Sequence, residues 1–456
     1  MMGQQLFTYV DERKYRGRHC IFQTIIISYA AIPFYYGMCS IYNTDTKKRK
    51  MTGKHDCEIQ DFLWQSIGKC RSMHEMKEKD MNETFTYTKE QLELLATRLL
   101  EADGLKHEDA AQIAEDLVFA DMRGLSSHGV SRIPMYLKRI DTNCVKPQPE
   151  IRVEQCGTAV LRVHGDDGMG FLVAHKAIEE GIRLAEKTGI AMVGCTHSTH
   201  YGMAALYVEQ AKKAGYLSMV YTNSSAALPV FGGRTAFLGA APFAAGLPGG
   251  YTSPGFTLDM AMTVTARGKI RLAMINNQSI AEGLALDKEG RPTTNAKEAF
   301  EGVCLPFGGA KGAGLAMLRD MRAGMYTGSL YGGDVSSLYY RFDEPQNLGH
   351  IMFLMRPDMF MSLDDYKKRM DDYYHRIKEL PRAVGFDEIL MPGEPELRKA
   401  QAAEQNGIRQ TKEVMDSLYI ECQKRGIRCP EVFPDDWAVA ENSGAVVFDK
   451  KNVSLR

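Results

Sequence analysis

Ile190-Ala-Met-Val-Gly-Cys-Thr-His-Ser-Thr-His-Tyr-Gly202 is the stretch on which the fold turns. Ile190–Val193 reads as a strand that runs into the polar segment Cys195–Gly202. Upstream, Phe171–Lys187 has the period of a helix, and Thr158-Ala-Val-Leu-Arg-Val163 reads as a strand. Downstream, a helix to Ala214 leads into the strand Leu217-Ser-Met-Val-Tyr-Thr222. Strands that alternate with helices predict an α/β layered domain.

Further out on the N-terminal side, Thr88-Lys-Glu-Gln91 is a capping box. Leu92, Leu95 and Leu99 form an apolar stripe behind it, and Gly104 stops the helix. A second helix is expected over Glu108–Met122 and a third over Arg132–Ile140. On the C-terminal side come the Gly-rich turns Phe231–Arg234, Leu247–Gly250 and Phe307–Gly314. The last opens an apolar helix, whose first N–H groups can receive a phosphate. Helices are expected at Leu363–Leu380, Glu396–Gln405 and Thr411–Arg425. Neither Gly-x-Gly-x-x-Gly nor a Walker-type loop occurs in the Gly-rich segments, so a bound dinucleotide would not use the Rossmann fingerprint.

Residues 1–84 read differently. Cys20–Thr44 carries no charged side chain, and basic residues flank it on both sides. Two readings stay open for residues 21–38: a membrane or signal anchor, or part of a poorly ordered extension. Met51 and Met81 are both workable starts.

The 456 residues, 44% hydrophobic and 25% charged, are those of an ordinary globular protein of two or three units. A net charge of −1 gives no reason to expect a nucleic-acid partner. Ten cysteines occur without a Cys-x-x-Cys pair or a Cys/His cluster at metal spacing. That argues against a metal site and a disulfide framework, and for a reducing, cytoplasmic setting.

The chemistry concentrates in Asp121-Met-Arg-Gly-Leu-Ser-Ser-His-Gly-Val-Ser-Arg132. Ser127, His128 and Arg132 combine a hydroxyl, an imidazole that titrates near neutrality and a guanidinium that grips carboxylates as a fork. On a helix His128 and Arg132 would share a face; if Gly129 breaks it, they can still converge from a turn. Taken singly, Ser127 reads equally as a turn cap and Arg132 as half of an ion pair. His200 is discounted in the same way. Asp259 lies in the apolar run Phe256–Ala261, where a charge needs a partner, and a histidine suits it.

From about Thr86 to about Arg425 the chain resembles the type 2 malate/L-lactate dehydrogenase family, which includes ureidoglycolate and sulfolactate dehydrogenases and diketogulonate reductase. The motifs that carry the likeness include Arg123-Gly-x-Ser-Ser-His-Gly-Val-x-Arg132, His200-Tyr-Gly202, Thr222-Asn-Ser224, Leu258-Asp-Met-Ala261, Gly308-Gly-x-Lys-Gly312, Pro345-Gln-Asn-x-Gly-His350 and Leu390-Met-Pro-Gly-Glu-Pro-Glu396. The resemblance implies a non-Rossmann NAD(P)-binding α/β fold with a mainly helical domain built from both ends of the family region, usually in a homodimer. It implies hydride transfer between NAD or NADP and a small 2-oxo or 2-hydroxy acid such as malate or lactate. By the same likeness His128 is the proton donor, Ser127 and Asp259 are its relay, and Arg132 holds the substrate carboxylate. Some members place the catalytic histidine at His200. Cofactor contacts fall on Asn223, Ser224, Thr257, Leu258, Met260, Ala261, Lys311, Gly393, Glu394 and Pro395.

The domains expected are an extension over 1–84, a helical substrate or dimer region over 85–157, an NAD(P)-binding α/β domain over 158–362, and a helical region with a tail over 363–456. Two departures from the family stand out. Gly239-Ala-Ala-Pro242 replaces Gly-Thr-Asn-Pro, and Ala310 replaces a histidine. Both remove polar groups, which motivates an alternative: a catalytically weakened binding or regulatory relative.

Overall fold

The computed structural model describes residues 83–439 and 443–448. The possible anchor at 21–38 lies outside them. No helix among the described residues is long and apolar enough to cross a membrane.

The centre of the molecule is a seven-stranded sheet with strand order β2-β3-β4-β12-β5-β8-β9. Its strands are β2 (Arg152–Gly157), β3 (Val160–His164), β4 (Ile190–Ser198), β5 (Leu217–Thr222), β8 (Phe243–Leu247), β9 (Phe256–Met260) and β12 (Leu348–Met355). Short strands pair outside it, β6 (Ala226–Leu228) with β7 (Leu238–Gly239) and β10 (Ala285–Leu286) with β11 (Val303–Cys304). The α/β reading holds, but the sheet is mixed: only β3 and β4 pair in parallel. The reason is β12. It returns from far down the chain and inserts between β4 and β5, antiparallel to both. Its run Leu-Gly-His-Ile-Met-Phe-Leu-Met is largely buried, as a central strand must be.

The expected helices form within a few residues of their expected bounds, and two more, Arg267–Ile275 and Ala296–Glu301, were not expected. In α1 (Lys89–Ala102) the capping box closes both ways, Gln91 N–H to Thr88 Oγ1 at 3.2 Å and Thr88 N–H to Gln91 Oε1 at 2.9 Å. Next come α2 (His107–Met122) and α3 (Ile133–Asp141). Helix α4 (Gly170–Thr188) stops at Gly189, whose φ of +82° suits glycine. Helix α5 (Ala205–Lys213) follows the Cys195–Gly202 segment. After the Gly-rich turns come α6 (Arg267–Ile275), α7 (Ala296–Glu301) and α8 (Ala310–Asp320). The chain closes with α9 (Leu363–Lys378), α10 (Glu394–Asn406) and α11 (Lys412–Arg425).

The two ends of the body meet. Strand β1 (Thr84–Tyr87) pairs antiparallel with β13 (Ile408–Thr411), which leads into α11. One continuous apolar core joins Leu92, Leu95 and Leu99 of α1 to Leu117 of α2, Phe171 of α4 and Val193 of the sheet. A smaller cluster gathers Leu228, Leu238, Met262, Ile270 and Ala316 around α6 and α8.

Candidate active site

Helix α2 delivers the chain into residues 126–132, which form two single 3₁₀ turns, Ser126–His128 and Val130–Arg132, hinged at Gly129. The turn arrangement therefore applies, not a helix shared by His128 and Arg132. Three bonds hold it. The buried Asp121 carboxylate accepts from the Val130 N–H at 2.9 Å, Ser131 Oγ donates to Ser126 O at 2.6 Å, and Arg132 Nε donates to Ser127 O. Burial pushes the Asp121 carboxyl up to about 7.

This turn brings His128 against His200, which stands near the end of the Ile190–Gly202 stretch. The rings stack with centroids 5.8 Å apart and planes 26° from parallel. His128 Nδ1 lies 3.0 Å from Ser127 Oγ. Burial, and then the nearby Arg132 charge, push the His128 imidazole down to about 4. Burial and the neighbouring His128 and Arg132 push His200 well below the ordinary range. Both rings are therefore neutral at physiological pH. Arg132 lays its guanidinium carbon 5.2 Å from the Tyr339 ring centre. Its two terminal amino groups have no acceptor among the described residues.

Sequence reasoning missed Tyr136. Its hydroxyl lies 2.7 Å from His200 Nδ1, and its ring packs edge-on against Phe171 at 5.7 Å. A signal was present, since Tyr136 stands four residues beyond Arg132 where helix α3 is expected.

Asp259 corrects an expectation. Its carboxylate accepts from the Ala205 N–H at 2.8 Å and bonds neither imidazole. Strand β9 runs beneath the start of α5, so the aspartate meets a helix N-terminus, where an anion is favoured. Its carboxyl is nonetheless raised to about 6 by burial. Beside it, Tyr201 is stacked between Tyr207 and His350 at 4.8 and 4.6 Å. His350 is fully committed to Thr222 Oγ1 and Ser198 Oγ, at 2.8 and 2.6 Å.

The residues expected at the cofactor divide in two. Some are spent on the fold. Asn223 donates to Leu330 O at 2.6 Å and accepts from Gly349 N–H at 3.0 Å, which ties the end of β5 to β12. Glu394 accepts from Tyr374, from Lys378 and from the Met391 N–H. Thr257 donates to Glu209 at 2.6 Å and lies against Gly393, where a β-carbon would sit 2.9 Å from Thr257 Cβ. Gly393, at φ +93°, leads Glu394 and Pro395 into α10. Leu258, Met260 and Ala261 continue the Thr257 strand and its exit.

The others remain available. Ser224 has only a long 3.5 Å contact to Ser225 O. Lys311 is exposed in the first turn of α8, a helix with no side-chain cap. Gly308, Gly309 and Gly314 around it face open space. Further along α8, the buried Arg319 donates to Thr222 O and Gly239 O at 2.6 and 2.7 Å, which seats the helix on the Asn223–Ser224 turn. Of the departures from the family pattern, Ala241 is buried and Ala240 is half-buried.

Comparison with known proteins shows the family. A family model described as malate/L-lactate dehydrogenase matches residues 87–419. The ureidoglycolate dehydrogenase (NAD(+)) of Escherichia coli K12 is 34% identical over 327 residues, 72% of this chain and 91% of that protein. A (2R)-3-sulfolactate dehydrogenase (NADP(+)) from Chromohalobacter salexigens is 34% identical over 302 residues, 66% of this chain and 87% of its own. The solved structure of the sulfolactate dehydrogenase from Methanocaldococcus jannaschii superposes with a TM-score of 0.72 at 33% identity, covering 76% of this chain and 99% of that one. The chain therefore belongs to the malate/L-lactate dehydrogenase family.

Proposed function

We propose that this chain interconverts a small 2-hydroxy acid and its 2-oxo acid with NAD or NADP. One observation carries the reading. Among the described residues, Arg132 presents unpaired amino groups beside two neutral imidazoles, and no carboxylate bonds any of the three. A site that is cationic and lacks an internal anion suits a carboxylate substrate. Arg132 grips that carboxylate as a fork and so aims the adjacent carbinol at the histidines. In oxidation the hydroxyl proton passes to an imidazole nitrogen, and in reduction it returns to the oxygen. His128 and His200 are the candidate acceptors, with Ser127 as the relay on His128 Nδ1. The nicotinamide, when bound, accepts or supplies the hydride.

The available groups fit such a cofactor. The uncapped start of α8, open at Gly308 and Gly309 with Lys311 in its first turn, suits a diphosphate. Ser224, the Thr257, Leu258, Met260 and Ala261 segment, and the Gly393–Pro395 turn complete the proposed contacts, with Asn223 and Glu394 acting by shaping their loops.

We take the partner to be a second copy. Leu315, Met317, Leu318 and Met321 form an exposed apolar face on α8 and its continuation, which a homodimer contact would cover. The six described cysteines are free thiols, in keeping with the cytoplasm.

The test is a screen of malate, lactate, ureidoglycolate and sulfolactate, each with NAD and NADP, following absorbance of the reduced cofactor. Turnover with one pair is expected. Cofactor binding without turnover on any pair would favour the weakened relative that Ala240 and Ala241 suggest.

A further inference from the structure

We propose that the Gly202 N–H sets the tautomer of His200, with its proton on Nε2, and that Tyr136 is a positioning residue that reinforces it through the same Nδ1. The inference rests on the dehydrogenase reading only for its effect on turnover; the tautomer follows from the geometry.

Two groups converge on His200 Nδ1. The Gly202 N–H reaches it at 3.3 Å, and the Tyr136 hydroxyl at 2.7 Å. A backbone N–H can only donate, so Nδ1 carries a lone pair and the single proton of the neutral ring lies on Nε2. The Tyr136 hydroxyl has no other partner among the described residues, so its hydrogen goes to the same lone pair. This differs from His128, whose Nδ1 meets the Ser127 hydroxyl. A hydroxyl can donate or accept, so that contact leaves the His128 tautomer free to change.

The arrangement is rigid. Tyr136 is buried, with 2% of its surface exposed. Phe171 supports both donors: it packs edge-on against the Tyr136 ring, and its Cε1 lies 2.4 Å from where a β-carbon on Gly202 would sit. Gly202 has φ +75°, so glycine satisfies both the space and the backbone there. The phenol therefore acts on His200 by orientation and by occupying Nδ1. Both effects oppose a second proton on the ring, so His200 would donate its Nε2–H to the substrate oxygen and leave His128 as the group that accepts the hydroxyl proton.

The tautomer is read directly from the imidazole nitrogen shifts of the ¹⁵N-histidine-labelled full-length protein, with His200 assigned by loss of its signals in His200→Gln. We expect a protonated Nε2 and a bare Nδ1 in the native protein. In Tyr136→Phe, which keeps the ring and its packing, the Gly202 N–H should keep Nε2 protonated while the His200 ring titrates at higher pH. In turnover, kcat for hydroxy-acid oxidation should fall roughly tenfold to a hundredfold, a fraction of what an acid–base group contributes. KM should hold within about twofold. A native His200 protonated on Nδ1 overturns the proposal, as does a Tyr136→Phe protein in which the His200 ring titrates as in the native protein. If the native protein turns over no hydroxy acid, the functional reading fails while the nitrogen shifts still decide the tautomer.

Discussion

Gly129 touches the Asp121 carboxylate so closely that a β-carbon on the glycine would lie 2.1 Å from Oδ1 and 2.2 Å from Oδ2. Its φ of −91° is ordinary, so glycine is required here by space and not by backbone strain. Gly129→Ala should therefore cost about 1–3 kcal/mol, the usual range for overpacking, and displace His128. Thermal melts of Gly129→Ala, Asp121→Ala and the double variant measure the contact. A non-zero coupling energy is expected, and strictly additive losses would mean that the loop relieves the clash elsewhere.

The same aspartate makes stability depend on pH. An unfolded aspartate titrates near about 3.9, whereas burial raises Asp121 to about 7 in the fold. Between those values the folded protein keeps a proton that the unfolded chain has released. This contribution therefore falls as pH rises through that window. Asp121→Asn should flatten the fall. Urea melts of both proteins across the window provide the check, and parallel pH dependences would show that Asp121 is ionised in the fold.

His128 gives the opposite kind of profile in catalysis. With the ring pushed down to about 4, the free enzyme holds a neutral base through neutral pH. For hydroxy-acid oxidation, kcat/KM should stay level down to about pH 5 and drop only below it. A bound carboxylate favours the imidazolium, so the acid limb of kcat should lie at higher pH than that of kcat/KM. An acid limb of kcat/KM near pH 6.5, the ordinary histidine value, would contradict the buried, cation-facing setting.

Arg132 uses Nε on Ser127 O, and its outer amino groups meet no acceptor among the described residues. A lysine cannot do both. Arg132→Lys should raise KM for the hydroxy acid roughly tenfold to a hundredfold, the worth of one or two charge-assisted bonds, with cofactor affinity unchanged. Steady-state kinetics and cofactor titration separate the two, and an unchanged KM would remove Arg132 from the substrate.

How far these features could be read from sequence varies with the range of the interaction. Helix α1 and strand β5 were legible because their signals are local: a capping box in one, and in the other an apolar run bounded by turns. Strand β12 was not, because an apolar run suits a buried strand or a buried helix segment equally, and its neighbours β4 and β5 lie far up the chain. Asp259 shows a subtler limit. A carboxylate in an apolar strand does need a partner, but the partner is the Ala205 N–H. Side-chain identities say nothing about which backbone donor a fold will bring near. Ser127, His128 and Arg132 were legible as a cluster because one turn holds all three. Tyr136 belongs to the same neighbourhood through His200, 64 positions away.

Arg319 is the extreme of this kind, a single arginine in an apolar helix that nothing local marks. It is buried to 1% exposure and donates to two main-chain carbonyls, Thr222 O and Gly239 O. Burial lowers its guanidinium only to about 10, so it stays charged at neutral pH. Thr222 leads directly into Asn223 and Ser224, proposed to border the cofactor, and Gly239 leads into Ala240 and Ala241, so one side chain sets the spacing of these two segments. Arg319→Met keeps most of the bulk and removes both donors. Two buried carbonyls left unpaired should cost about 2–5 kcal/mol, and the loosened Asn223–Ser224 turn should weaken NAD or NADP binding even where the fold survives. Denaturant melts give the first quantity and cofactor titration below the melting range the second. Loss of stability with undiminished cofactor affinity would show that Arg319 supports the fold alone and that the turn it holds does not shape the cofactor site.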